Sequence, residues 1–444
     1  MDTPIYDFVK KYSDEKTVRA HMPGHKGAEF LGVEALDLTE IDGADVLYSP
    51  SGIIKKSEEN ASGLFDTART IYSTEGSSLS IRAMLYLALL YAKKRGKSPI
   101  IAAGRNAHKA FISAVALLDF EVEWIFPEKS DSIVSCEITP DALDKFLGEN
   151  EVCTVYITSP DYLGNISDIS GLSKICKKHG ALLLVDNAHG AYLNFLPNSI
   201  HPIALGADMC ADSAHKTLPV LTGGSYLHIS KNAPKIFCEM AQSAMSFFAS
   251  SSPSYLIMQS LDLANKYISD SYHEKLAIFA QKISILKEKL ASIGYTLIGK
   301  EPLKVTISSK SYGYTGNELG EILGKENIVC EFCDKDFLVM MFTPENSDAE
   351  LLHIENTLVN VPKRPTIDEK MPNLGIPMRV LSIREATMSP SAEYDVNECK
   401  GKILATTNVS CPPAIPIVVC GEEISESAVE VFRYYDIKNL RCVE

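Results

Sequence analysis

The sequence predicts an α/β fold: a large domain around a mostly parallel central sheet over residues 1–290, and a smaller α+β domain over 291–444. Three observations carry this. The chain has 444 residues, too many for one compact core. Between about 70 and 225, short apolar runs alternate with helical patterns, as in a sheet covered by helices on both faces. Beyond 290 the punctuation changes to isolated strand-like and helical pieces.

Taken in order, the N-terminal MDTPIYDFVKKYSDEK mixes charge with apolar residues every three or four positions and reads as a short amphipathic helix. The runs at 99–103, 154–158, 181–185 and 207–210 read as buried strands. Between them, 77–94, 108–118, 140–146 and 169–179 read as helices, the last closed by Gly180. One more strand-like piece follows Gly224, then a long helical stretch from 255 to 290. In the C-terminal part, 304–308, 337–342 and 415–419 read as strands and 316–323 and 348–358 as helices. A polar, proline-bearing stretch at 362–377 reads as a surface loop.

A net charge of −14 without a basic stripe argues against nucleic acid as a partner. No apolar run reaches the length that spans a bilayer, and the N-terminus lacks a signal-peptide core, so neither membrane nor export is expected. The eleven cysteines are scattered through apolar segments, which suggests reduced thiols in a cytoplasmic protein. Cys330 and Cys333 have CxxC spacing, but strand alternation explains it better than a metal or redox site, and no metal is expected.

In a parallel sheet, ligands bind beyond the carboxyl ends of the strands, and four polar clusters fall there. Thr74-Glu75-Gly76-Ser77-Ser78 opens a helix: free amides, two hydroxyls and a glycine make a phosphate cradle, or an ordinary serine N-cap. Arg105-Asn106-Ala107-His108-Lys109 follows a strand, and His108 is placed to lie against a flat ring. Asp186-Asn187-Ala188-His189-Gly190 ends ALLLV. A buried acid there needs a partner: a protonated pyridine nitrogen, a helix N-terminus to cap, or a metal shared with His189. Ser213-Ala214-His215-Lys216-Thr217-Leu218 pairs a hydroxyl for phosphate with a lysine able to form a Schiff base. No one cluster is specific, but their order points to pyridoxal 5'-phosphate (PLP).

These motifs, together with HMPGHKG at 21–27, Ser159-Pro160-Asp161-Tyr162, Ser251-Ser252-Pro253-Ser254-Tyr255-Leu256, Arg384-Glu385-Ala386 and Pro412-Pro413-Ala414-Ile415-Pro416, span nearly the whole chain. It resembles the bacterial ornithine/lysine/arginine decarboxylases, in the short form without a wing domain, of the aspartate-aminotransferase-like PLP fold (fold type I). The resemblance implies that Lys216 carries the cofactor, His108 stacks on its ring and Asp186 pairs with its nitrogen. It also implies that Gly76, Ser77, Ser78, Ser213 and His215 hold the phosphate and that His189 lies beside the ring. Glu331 matches a family carboxylate near the substrate's side chain, ahead of Asp42 or Asp45. Ser252 lies in a segment that reaches the neighbouring subunit's site, which implies a homodimer or dimer-based oligomer. Departures from the family pattern are Asn187 for a glutamate, Asp161 for a threonine, and changes at Ser410, Cys411 and Ala414.

The expected reaction is decarboxylation of lysine, ornithine or arginine to its amine, a step of polyamine biosynthesis and amino-acid metabolism. Lys216, Asp186, His108 and His215 form the catalytic group, and orientation is worth about 7–11 kcal/mol in well-positioned systems. Three rivals stand beside it. Another fold type I reaction, transamination or elimination, would clamp the α-carboxylate with Arg379 or Arg384. A non-catalytic PLP-binding homologue would need a damaged site. A metal hydrolase would use Asp186, His189 and His215.

Overall fold

The computed structural model describes residues 1–127, 132–406, 410–411 and 414–444; Pro412 and Pro413 of the C-terminal proline motif lie outside the described residues. Two compact units are each assembled from separated segments. Unit 1 comprises Met1–Ser98, Cys153–Ser159 and Ile169–Ala277; unit 2 comprises Pro99–Val152, Pro160–Asp168 and Ile278–Glu444.

The fold is α/β with a mostly parallel central sheet. Its strands are β1 (Arg69–Ser73), β2 (Ile100–Gly104), β3 (Glu121–Ile125), β4 (Thr154–Thr158), β5 (Leu182–Asp186), β6 (Met209–Asp212) and β7 (Ser225–Ile229). In unit 1 the spatial order is β1-β7-β6-β5-β4. β4, β5 and β6 are mutually parallel, while β7 runs antiparallel to both β6 and β1. The carboxyl ends of β1, β4, β5 and β6 therefore share one edge. In unit 2, β2 and β3 pair in parallel.

β5 is buried at every position, as a strand covered on both faces must be. Helix Ser77–Lys94 packs on β6 and β7 and against helix Lys235–Phe248, and helix Ile169–His179 packs on β5. Ten residues of Ser77–Lys94 are buried, so its apolar character extends around the helix rather than along one stripe. The predicted helix at 108–118 begins at Lys109, with His108 as its N-cap.

Unit 2 also holds an antiparallel sheet of β8 (Thr296–Ile298), β9 (Lys304–Ser308), β10 (Phe332–Cys333) and β11 (Phe337–Met341), in the order β10-β11-β9-β8. Helices Gly316–Lys325 and Asp348–Val359 each start with a complete capping box, Thr315 with Glu318 and Ser347 with Glu350.

Three local expectations change. The helical stretch at 255–290 is interrupted by a π turn at Ile268–Tyr272. Of the apolar run at 415–419, Ile415–Pro416 pairs with Ser410–Cys411 among the described residues. Strand alternation does not account for the CxxC spacing, since β10 contains Cys333 but not Cys330. The 362–377 stretch has no helix or strand, as predicted. Among the described residues, no helix is long and apolar enough to cross a membrane.

Candidate active site

In unit 1, Asp186 ends β5 and Asp212 ends β6, one residue before the Ser213–Lys216 turn. The strands are parallel and in register, Asp186 opposite Ala211, so both acids and the residues that follow them emerge on the same side. Lys216 Nζ lies 3.0 Å from His189 Nε2. Ser213 Oγ donates to Ser77 Oγ at 2.8 Å, joining the lysine turn to the first residue of helix Ser77–Lys94.

The helix start is prepared locally. Gly76 adopts φ +72° with no atom within 4 Å of where a Cβ would sit, and its amide donates to Gly223 O at 2.8 Å. The orphan amides of the first turn, with the hydroxyls of Ser77, Ser78 and Ser213 nearby, form an anion cradle. His215 donates from Nδ1 to Gly224 O at 2.9 Å; burial pushes its pKa down, consistent with a neutral ring whose Nε2 is an acceptor. Ser252 is exposed, and its loop reaches the same turn through Ser250, whose amide donates to Glu75 Oε1 at 2.7 Å.

Asp186 is 2% exposed. Tyr156 Oη donates to its Oδ2 at 3.1 Å and Ala188 N to its Oδ1 at 3.2 Å. Burial raises its pKa, and the Lys216 cation works in the opposite direction. Two hydroxyls in the same region, Thr158 Oγ1 at the end of β4 and Thr217 Oγ1 beside Lys216, are buried without a hydrogen-bond partner among the described residues. A buried acid, a lysine amine, an anion cradle and two orphaned hydroxyls suit a phosphorylated pyridine aldehyde. They suit a metal poorly, because the lysine amine lies against His189 Nε2 and Tyr156 and Ala188 take the Asp186 oxygens. Open volume alone points elsewhere: a cavity of about 660 Å³ in unit 1 is lined by Tyr48, Glu58, Arg69 and Gln242 and by none of the candidate site residues.

In unit 2, His108 Nδ1 accepts from Ala110 N at 3.1 Å, so the ring closes its own helix terminus as well as being a stacking candidate. Glu331 accepts from Tyr162 Oη at 2.9 Å. Arg379 is engaged by Glu121 Oε1 at 3.3 Å and Val122 O at 3.0 Å. Arg384 donates to Ala116 O and Leu117 O. Both arginines expected of an aminotransferase clamp are thus held by local groups. In unit 1, Asp45 takes the amides of Val46, Ser51, Gly52 and Ile54 and serves its own loop.

The structure therefore brings Lys216, Asp186, His189, Ser77 and Ser213 together in unit 1 and places His108 and Glu331 in unit 2. Sequence reading missed Tyr156, which looked like one apolar residue of a buried strand, and Tyr162 as the residue holding Glu331.

Residues 3–293 match the family described as "Orn/Lys/Arg decarboxylase, major domain". The arginine decarboxylase of Bacillus subtilis (strain 168) is 28% identical over 475 residues, covering 99% of this chain and 94% of the relative. Lysine decarboxylase A of Pseudomonas aeruginosa superposes with a TM-score of 0.82 at 14% identity, over 99% of this chain and 80% of that one. The Francisella novicida lysine decarboxylase LdcF gives 0.80 at 16% identity, over 100% and 81%. At such identities the superpositions show the fold alone; the family match shows more. The chain belongs to the Orn/Lys/Arg decarboxylase family and is a PLP-dependent decarboxylase.

Proposed function

We propose that this protein removes the α-carboxylate of a basic amino acid (arginine, lysine or ornithine) and releases the corresponding amine. The observation that carries the proposal is the buried carboxylate of Asp186 on the same sheet edge as Lys216, whose amine meets His189 at 3.0 Å. Bound there, PLP supplies an electron sink for the pair left on Cα when carbon dioxide departs.

The chain's own groups do the rest. Lys216 would hold the cofactor through Nζ. Asp186, ionised, answers a cationic ring nitrogen; its burial makes that pairing stronger than it would be in water. The first-turn amides after Gly76, with Ser77, Ser78 and Ser213, take the phosphate, and the His215 ring lies in the same turn. Lys216 Nζ and His189 Nε2, 3.0 Å apart, would supply the proton that takes the place of the carboxylate on Cα. By the family pattern His108 covers the ring face and Glu331, steadied by Tyr162, takes the substrate's distal cation. The B. subtilis relative supports arginine as the first substrate to test.

The same reading includes a homodimer with shared sites, a cytoplasmic location and a role in polyamine biosynthesis. Pairing is supported by apolar side chains that unit 1 leaves in solvent: Val18, Met22, Phe30, Leu31 and Phe247. The experiment is amine and carbon dioxide analysis with each basic amino acid, after a visible spectrum of the purified protein. Lys216→Ala should lose both the cofactor absorbance and turnover. Keto acid formation without carbon dioxide would favour transamination and sink the proposal.

A further inference from the structure

Beneath the Lys216 turn, in unit 1, lies a second carboxylate that the reaction as described does not use. Asp212 is fully buried, and its two oxygens are surrounded by donors. Asn187 Nδ2 donates to Oδ1 at 2.8 Å, and Cys210 Sγ lies 3.6 Å from the same oxygen. His201 Nε2 lies 2.9 Å and His228 Nε2 3.3 Å from Oδ2, with all three side chains at zero exposure. Thr70 Oγ1 meets His228 Nδ1 at 2.8 Å on the far side of that ring.

His201, Cys210 and Asp212 also have the spacing of a metal site. The hydrogen bonding argues otherwise. His201 Nδ1 accepts the Ile203 amide at 3.4 Å, so the ring's hydrogen is on Nε2, the nitrogen that faces Asp212. That nitrogen donates a hydrogen bond and has no lone pair to offer a cation. The cluster is thus an ionised acid satisfied by the Asn187 amide and the His201 ring, with His228 Nε2 near Oδ2 but not hydrogen-bonded to it. Burial favours its protonation, but the two histidines outweigh this and hold the carboxyl far below the usual range.

Its position gives the cluster a consequence. Asn187 directly follows Asp186, and its amide donates to Ala211 O at 3.0 Å. Asn187 O accepts from Gly190 N at 2.8 Å, closing the turn that carries His189 to Lys216. The turn is tight: a Cβ on Gly190 would lie 2.0 Å from Asn187 Oδ1. Asp212 also directly precedes Ser213, whose carbonyl accepts from Lys216 N at 3.1 Å.

We propose that Asp212 is a positioning residue: through Asn187 it fixes the 187–190 turn so that His189 meets Lys216, and through the chain it fixes Ser213 against Ser77. The inference rests on Lys216 being the cofactor-bearing lysine. It predicts that Asp212→Asn, which keeps the shape and removes the charge, and Asn187→Ala, which removes the link, each lower kcat and weaken cofactor retention by roughly ten- to a hundredfold, as small misplacements do. KM for the amino acid should change little. The discriminating measurement is a double-mutant cycle with His189→Asn: if Asp212 acts through His189, adding Asp212→Asn to His189→Asn costs little more in kcat. A merely structural role would lower the melting temperature and add its full effect in the double variant.

Additive losses, wild-type kcat and cofactor retention in the variants, or one zinc per chain by metal analysis would each overturn the inference. If Asp212→Asn does not fold, Asn187→Ala and its cycle with His189→Asn decide the matter alone. A wild-type protein with no borohydride-trappable cofactor on Lys216 would overturn this inference and the proposed function together. Failure of the variants alone would leave the proposed function standing.

Discussion

A carboxylate at the end of a buried strand is stable only when its charge is answered, and Asp186 has one phenol and one amide to do so. Its pKa is raised by burial, partly offset by Lys216. An acid whose folded pKa is raised loses stability as pH climbs from its unfolded value, ~3.9, through the folded one, because the folded state must then carry the ion. A cationic ring nitrogen would lift that cost. The gain in melting temperature on adding PLP should therefore grow with pH across this window; a gain independent of pH would argue that Asp186 does not face the ring nitrogen. Glu331 makes a separate prediction. Glu331→Gln should cost about 1.5–3 kcal/mol of binding, the worth of a charge-assisted hydrogen bond, seen as a higher KM for the preferred basic amino acid with kcat nearly kept. An unchanged KM would reassign the distal site.

At the scale of elements, β5 holds the chemistry in place because it is buried on both faces. Leu184 is fully buried in it. Leu184→Ala should lower unfolding stability by about 2–5 kcal/mol, measured by denaturant titration; a smaller loss would mean that the surrounding core collapses into the gap. Helix Ser77–Lys94 was legible to the residue, since a glycine, two serines and a long apolar pattern mark its start and course. At 415–419 a strand was legible over Ile415–Pro416; that it pairs with Ser410–Cys411 was not, because hydropathy does not specify a partner. The π turn inside the long helical stretch was equally invisible, because it leaves the apolar periodicity on either side intact.

For the whole molecule, net charge and apolar content set what the surface can meet. A charge of −14 disfavours polyanions, and large apolar side chains left exposed on unit 1, Phe30 at 80% and Leu31 at 86%, call for cover. Light scattering should find a dimer or a multiple of one, with specific activity falling as the protein is diluted below its dissociation constant. A fully active monomer at every concentration would remove the shared-site reading. The two compact units are each stitched from segments distant in the chain, an arrangement that local periodicity does not encode.

The order of motifs along the sequence pointed to the proposed chemistry: in unit 1 a serine turn, an acid and a lysine each lie just past a strand, and a parallel sheet delivers such strand ends to one edge whatever the loops contain. Only the tertiary structure decided which side chains meet there. His189 against Lys216, Tyr156 on Asp186, Asn187 on Asp212 and Tyr162 on Glu331 are pairs set by strand register and loop geometry. Contacts of that kind depend on distances of a few ångströms between residues up to 169 positions apart, and no pattern of neighbours in the chain specifies them.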